Sequence, residues 1–218
     1  MLIRLSYCRV GTTCLEGATL AGHLRVPAMR ICLLLAIVGL VSAASVANAA
    51  DKTIHDQDIG FSLTFPEGWF NERSSDEALR LTIKPDNQGL TCMVSSSLYN
   101  PFAPGSPSDP RKFIEGWSMD TWKTMMGKSF STADFSNDRL ARFPDGYPVR
   151  VADLDYTVSY ETVSLHGHSR IAFSIRGARY GYVNCSLIAG SAEEVAQRWA
   201  PLADKVERVV NSFVLDPP

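Results

Sequence analysis

Residues 53–58, followed by 59–65 (IGFSLTF), alternate between apolar and polar side chains. A period of two marks a half-buried strand, so the pair predicts a β-hairpin. Pro66-Glu67-Gly68 reads as a turn that delivers Trp69, and residues 78–84 (ALRLTIK) alternate again. After the turn signal Asp86-Asn87-Gln88-Gly89, residues 90–99 predict the next strand. Residues 100–110 hold four prolines and therefore predict a loop.

The period then changes. Asp109-Pro110 has the chemistry of an N-cap and first helical residue. Ile114, Trp117, Thr121, Trp122 and Met125 recur at spacings of three and four, which predicts one helix to about Met126, ended by Gly127. Strands are predicted at 130–142 and 148–161, separated by the turn Pro144-Asp145-Gly146. His166-Gly167-His168 reads as a further turn, with strands at 169–176 and 180–189 hinged near Gly177. The last element carries an apolar stripe of Val195, Trp199, Leu202, Val206, Val209 and Phe213. That stripe predicts a helix facing a core, kinked or divided at Pro201. The fold class is therefore α+β: an antiparallel β-sheet of about seven or eight strands, one central helix and one C-terminal helix.

The first fifty residues follow a different logic. Residues 31–41 (ICLLLAIVGLV) are an apolar run of eleven, preceded by Arg30. Such a run is too short to span a bilayer, which takes about 20 residues, but it fits the core of a secretory signal. Ala47-Asn48-Ala49 is a small-x-small cleavage signal that would release a chain beginning at Ala50 or Asp51. The expected organisation is a signal peptide at 29–49 and a single domain at 50–218. Residues 1–28, which end just before a second methionine, are expected to be an upstream extension. Cys32 stands at the wrong end of the apolar run for lipoprotein processing. The expected compartment is the bacterial periplasm or the exterior.

Removing that segment changes the charge. Residues 51–218 carry 17 basic and 22 acidic side chains, a net of −5. An acidic domain lacks the basic face that generic nucleic-acid binding needs. Of the five cysteines, Cys8, Cys14 and Cys32 precede residue 50, which leaves Cys92 and Cys185, each in a strand-like run. In an oxidising compartment an even pair predicts a structural disulfide; the alternative is two separate buried thiols. A redox site would favour a close C-x-x-C pair, which the chain lacks.

Candidate chemistry is sparse. Gly167-His168-Ser169-Arg170-Ile171 begins like a nucleophile elbow, but β-branched Ile171 stands where the strained turn needs a small residue. His166 and His168 offer two imidazoles where a zinc site wants three or four ligands, and His55 is the only other histidine in 50–218. Asp153 and Asp155, with Glu161 nearby, are two apart and read as an exposed strand face without partners. Arg176, Arg179 and Tyr180, with Tyr182, form a basic-aromatic hairpin. It is either a surface for an anionic or carbohydrate ligand or a solvated edge that discourages strand pairing. Trp69, Trp117, Trp122 and Trp199 read mostly as core. No cofactor or metal is expected.

The stretch Gly60-Phe61-Ser62-Leu63-Thr64-Phe65-Pro66-Glu67-Gly68-Trp69 and the close Val209-Val210-Asn211-Ser212-Phe213 resemble PsbP-like proteins, relatives of the extrinsic photosystem II protein. The resemblance covers most of 53–215 and implies an α/β/α sandwich. It implies a non-catalytic role, binding or stabilising another protein; the photosystem partner is not carried over. The expected function is an exported accessory protein acting on an envelope protein partner. The alternatives are a small-ligand module using a groove between the sheet and the 100–110 loop, and an enzyme.

Overall fold

The computed structural model describes residues 50–73, 81–85, 88–160 and 162–217, without the side chain of Tyr160. The expected signal peptide, residues Ala47 and Ala49 of its cleavage signal, Cys8, Cys14, Cys32 and Glu161 lie outside the described residues.

Strand β1 (Lys52–Asp56) pairs antiparallel with β2 (Phe61–Phe65), as the alternation predicts. The chain then turns over Pro66-Glu67-Gly68, where the Trp69 N–H donates to the Pro66 carbonyl at 3.2 Å. Gly68 takes φ 85°, the left-handed value that favours glycine at the third position of such a turn. This turn sends the Trp69 side chain into the core.

Strands β3 (Phe70–Arg73), β4 (Leu81–Lys84) and β5 (Leu90–Leu98) follow. After a helical insert come β6 (Thr132–Arg142), β7 (Pro148–Tyr160), β8 (Val163–Arg176) and β9 (Arg179–Ala189). These seven strands form one antiparallel sheet in the order β3-β4-β5-β9-β8-β7-β6. The N-terminal hairpin does not join it. With the two-residue β10 (Val214–Leu215) it makes a separate sheet, β1-β2-β10. The expected antiparallel sheet of about seven or eight strands is thus the seven-stranded one, and among the described residues a second, three-stranded sheet stands beside it; β3 and β10 are too short to leave an alternation signal.

Both faces of the large sheet are covered, and parity decides which side chain goes where. On β7, Val149 and Val151 enter one core, whereas Ala152, Leu154 and Tyr156 enter the other. The first core is closed by α3 (Ala192–Trp199) and α4 (Ala203–Ser212) together with the small sheet. The second is closed by α1 (Pro110–Glu115) and α2 (Met119–Met126). Pro201 divides the C-terminal helix as expected, with a single 3₁₀ turn between α3 and α4.

The central helix is the first correction. Residues 109–126 form two helices, because Gly116 ends α1 and Ser118 restarts the chain. Asp109 caps α1 by accepting from the Lys112 N–H at 3.1 Å. Ser118 and Thr121 form a reciprocal capping box at the start of α2. Buried Trp117 sits in the break and meets the Trp122 ring edge-on at 5.1 Å.

The second correction concerns His166-Gly167-His168, which lies inside β8 opposite Thr157, Tyr156 and Asp155. The chain reverses earlier, after the Tyr160–Val163 pair. Glycine is needed at 167 for space: a Cβ there would lie 2.2 Å from the Tyr156 ring. That ring covers the gap and places its hydroxyl 2.5 Å from Ser186 Oγ.

Cys92 and Cys185 stand directly opposite each other on β5 and β9 and are joined by a disulfide. The C-terminus is fastened differently. Ser212 Oγ accepts from the Thr64 N–H at 2.9 Å and lies 2.8 Å from the Thr64 carbonyl, to which it donates. One hydroxyl thereby continues, past the end of β10, the pairing that a longer strand would give β2. Phe213 then packs against Phe143, ring centroids 6.0 Å apart.

Candidate functional site

The basic-aromatic hairpin lies at the turn between β8 and β9, and β9 is interior to the sheet; the sheet's edges are β3 and β6. The hairpin is therefore not a solvated edge. Its guanidinium groups are engaged within the fold. Arg176 donates to the Leu215 carbonyl at 3.1 Å, pairs with Asp145, and lies over the Tyr147 ring at 4.8 Å. The Tyr147 hydroxyl donates to the Ile175 carbonyl at 2.9 Å, and burial pushes its pKa up. The Tyr147 N–H and then Arg176 hold the Asp145 carboxyl below its ordinary range. Arg179 donates to the Ile59 carbonyl, which also accepts from Ser96 Oγ at 3.0 Å. Tyr180 is half-buried at the rim of the α1–α2 core.

Asp153 requires a further correction. It is not on an exposed face but is 3% exposed, directly opposite Arg170 in the β7–β8 register. Arg170 Nε donates to Asp153 Oδ1 at 2.6 Å and Nη2 to Oδ2 at 2.9 Å, while Asn137 Nδ2 adds a third bond at 2.8 Å. Burial works to raise the Asp153 pKa, but the hydrogen bonds from Arg170 and Asn137 and the Arg170 charge outweigh it and hold it low. The Asp153 hydrogen bond in turn raises the pKa of Arg170. The network continues to α4: Arg170 Nη1 donates to Glu207 Oε2 at 2.5 Å, and Glu207 Oε1 accepts from Arg139 Nη2 at 2.6 Å. Sequence reasoning missed Arg139 and Glu207.

Asp155 is solvent-facing but not unpartnered, since His168 Nδ1 lies 2.6 Å from its Oδ1. The His168 ring meets Trp199 edge-on at 4.3 Å. His55 lies on β1, with Nε2 3.0 Å from Asp216 Oδ2. Ser169 is buried in the middle of β8. Among the described residues no group of three or more His, Cys, Asp or Glu side chains is placed to hold a metal ion. All four tryptophans are buried, as expected.

Among the described residues, the two most exposed large apolar side chains stand at the last residue of β5 and in the loop that follows it. Phe102 is 92% exposed and Leu98 69%. The loop carrying Phe102 is tied down by its own polar groups. The Tyr99 N–H donates to the Ala178 carbonyl and its hydroxyl to the Gly177 carbonyl, both at 2.9 Å. Asn100 Oδ1 accepts from the Phe102 N–H at 2.9 Å, and the Asn100 carbonyl accepts from Ser106 Oγ at 2.8 Å. Gly105, at φ 85°, closes the turn.

No family model matches the chain, and no curated protein matches it. Solved structures do. The Saccharomyces cerevisiae Ran-binding protein Mog1p aligns over 78% of this chain and 97% of its own, with TM-score 0.50 and 8% identity. Cyanobacterial PsbP (CyanoP) from Synechocystis aligns over 81% and 98%, with TM-score 0.49 and 14% identity. LpqN, involved in cell envelope biogenesis of Mycobacterium tuberculosis, aligns over 77% and 91%, with TM-score 0.43 and 14% identity. The fold is PsbP-like.

Proposed function

We propose that this PsbP-like chain is an exported accessory protein that works by binding a protein partner and catalyses no reaction of its own. The observation that carries the reading is the end of β5 and the loop after it, which hold Leu98 and Phe102 in solvent on a segment already fixed by the hydrogen bonds of Tyr99, Asn100 and Ser106. An apolar side chain in water gains by burial, roughly 1.5–3 kcal/mol for a residue of this size. A pre-ordered loop loses little further entropy on docking, so more of that gain appears as affinity. Aromatic anchors on such loops are typical centres of interfaces.

Export is supported by the signal-like sequence at 29–49 and by the Cys92–Cys185 disulfide, which suits an oxidising compartment. The expected partner is an envelope protein. The reading is tested by expressing tagged wild type and a Leu98→Asp/Phe102→Asp variant in the native host and comparing what co-purifies. The expected result is a stoichiometric partner retained by wild type and lost by the variant at unchanged melting temperature. Equal recovery of the partner by both proteins would refute the docking loop.

A further inference from the structure

Between β6–β7 and α4 the sheet and helix do not close on each other. They leave a groove of about 300 Å³. Its floor is apolar: Phe143, Val149, Val151, Val210 and Phe213, each almost fully buried. Its rim is polar, formed by Arg139, Glu207 and Asn211, with Arg142 beside them. An apolar floor under a few converging polar groups is the usual make-up of a small-molecule site, and the volume stands at the lower end of that class.

The electrostatics of the rim select the ligand. Glu207 is already neutralised: Oε2 takes Arg170, and Oε1 takes Arg139 and the Asn211 amide at 2.7 Å. Arg139 commits only Nη2, to Glu207 and to Asn211 Oδ1 at 3.2 Å. Its Nε and Nη1 donors have no partner among the described residues, and the side chain is 38% exposed. A guanidinium edge with free donors is matched by a carboxylate. Arg142 adds a second cation to the rim, engaged by the Gly146 carbonyl at 3.0 Å and by Glu115 only at 3.6 Å.

We infer that this groove binds a small amphipathic monocarboxylate, its apolar body on the Phe143–Val151–Phe213 floor and its carboxylate on the unused edge of Arg139. The volume is that of about ten water molecules in the liquid, which sets the size of the body. This site is separate from the docking loop, and either can fail without the other.

Octanoate is the probe, with acetate as the charge-only control and 1-octanol as the apolar-only control, each titrated by calorimetry into the disulfide-intact protein. Octanoate should bind saturably with Kd about 1 mM or tighter, while both controls bind at least about tenfold more weakly. Arg139→Gln should weaken octanoate about tenfold or more and leave 1-octanol unchanged. Val149→Phe, which fills the floor, should abolish octanoate binding. Glu207→Gln should strengthen it, because a negative charge beside the Arg139 edge is gone; an apolar crevice alone would show no such gain. If Arg139→Gln does not fold by circular dichroism, Arg139→Lys replaces it and should also bind more weakly, having lost the planar fork. The inference is overturned by absence of saturation with the folded wild type, by equal binding of 1-octanol, or by octanoate binding indifferent to both the arginine and the Val149→Phe substitutions.

Discussion

Replacing Asp153 with alanine removes one carboxylate that accepts three hydrogen bonds, two from Arg170 and one from Asn137. The site is 3% exposed, so the donors left behind are not reached by bulk solvent. Removing one member of a buried ion pair costs about 3–5 kcal/mol, chiefly because the other charge is left uncompensated. Here the cost falls at the lower end of that range. Arg170 keeps Glu207 Oε2 at 2.5 Å, and its side chain is 17% exposed. Asn137, at φ 52° in the β6 bulge, also loses the contact that holds its amide. We expect a loss of about 3 kcal/mol for Asp153→Ala, read from urea unfolding at pH 7 by tryptophan fluorescence with the disulfide intact. Asp155→Ala is the internal control. Its carboxylate is 63% exposed, and the loss should stay below about 1 kcal/mol. A loss below about 1 kcal/mol for Asp153→Ala as well would refute the claim that this pair ties β7 to β8 and, through Glu207, to α4.

Further expectations follow from the same contacts. The Asp153 pKa is lowered on folding, so its stabilisation is complete above the unfolded value of about 3.9 and is lost as pH falls through the folded one. The stability gap between wild type and Asp153→Asn should therefore be constant from pH 7 to about 5 and narrow below about 4, as followed by acid titration of unfolding. Ser212→Ala leaves the Thr64 N–H and carbonyl without their partner and should cost about 1–2 kcal/mol, checked by chemical denaturation. The Cys92–Cys185 bridge spans 93 residues of sequence, so a Cys92→Ala/Cys185→Ala variant should lose at most about 4–5 kcal/mol, measured against oxidised wild type. Gly167→Val should displace the Tyr156 ring and cost about 1–3 kcal/mol, with a changed near-ultraviolet dichroism signal.

Most of the layered architecture was legible as alternation. The parity of Val149 and Val151 against Leu154 and Tyr156 already separates the two cores on β7. The stripe from Val195 to Phe213 marks the face that the C-terminal helices turn inward. The candidate site was hidden by one misplaced turn. Reading Gly167 as a corner moved the β7–β8 register and took Arg170 away from Asp153 and His168 away from Asp155. With the chain reversing after Tyr160, both pairs fall directly opposite each other. Glycine in a strand can serve a neighbouring ring as well as a turn, and sequence spacing does not separate the two uses. Arg139 lies beyond the bulge between Ser136 and Arg139, where alternation loses its phase. Its partners Glu207 and Asn211 meet it only through tertiary packing of α4. The break at Gly116 was written in the sequence as Ser118-x-x-Thr121, a capping signal overridden by the apolar spacing on either side.

The central claim, that the loop after β5 docks a protein partner, is tested most directly by placing a photo-reactive phenylalanine analogue at position 102 in the native host. The control carries it at exposed Lys123 on α2. The account predicts one discrete crosslinked protein from position 102, absent from position 123 and lost when Leu98→Asp is added. No adduct from position 102, or the same adducts from both positions, would contradict it.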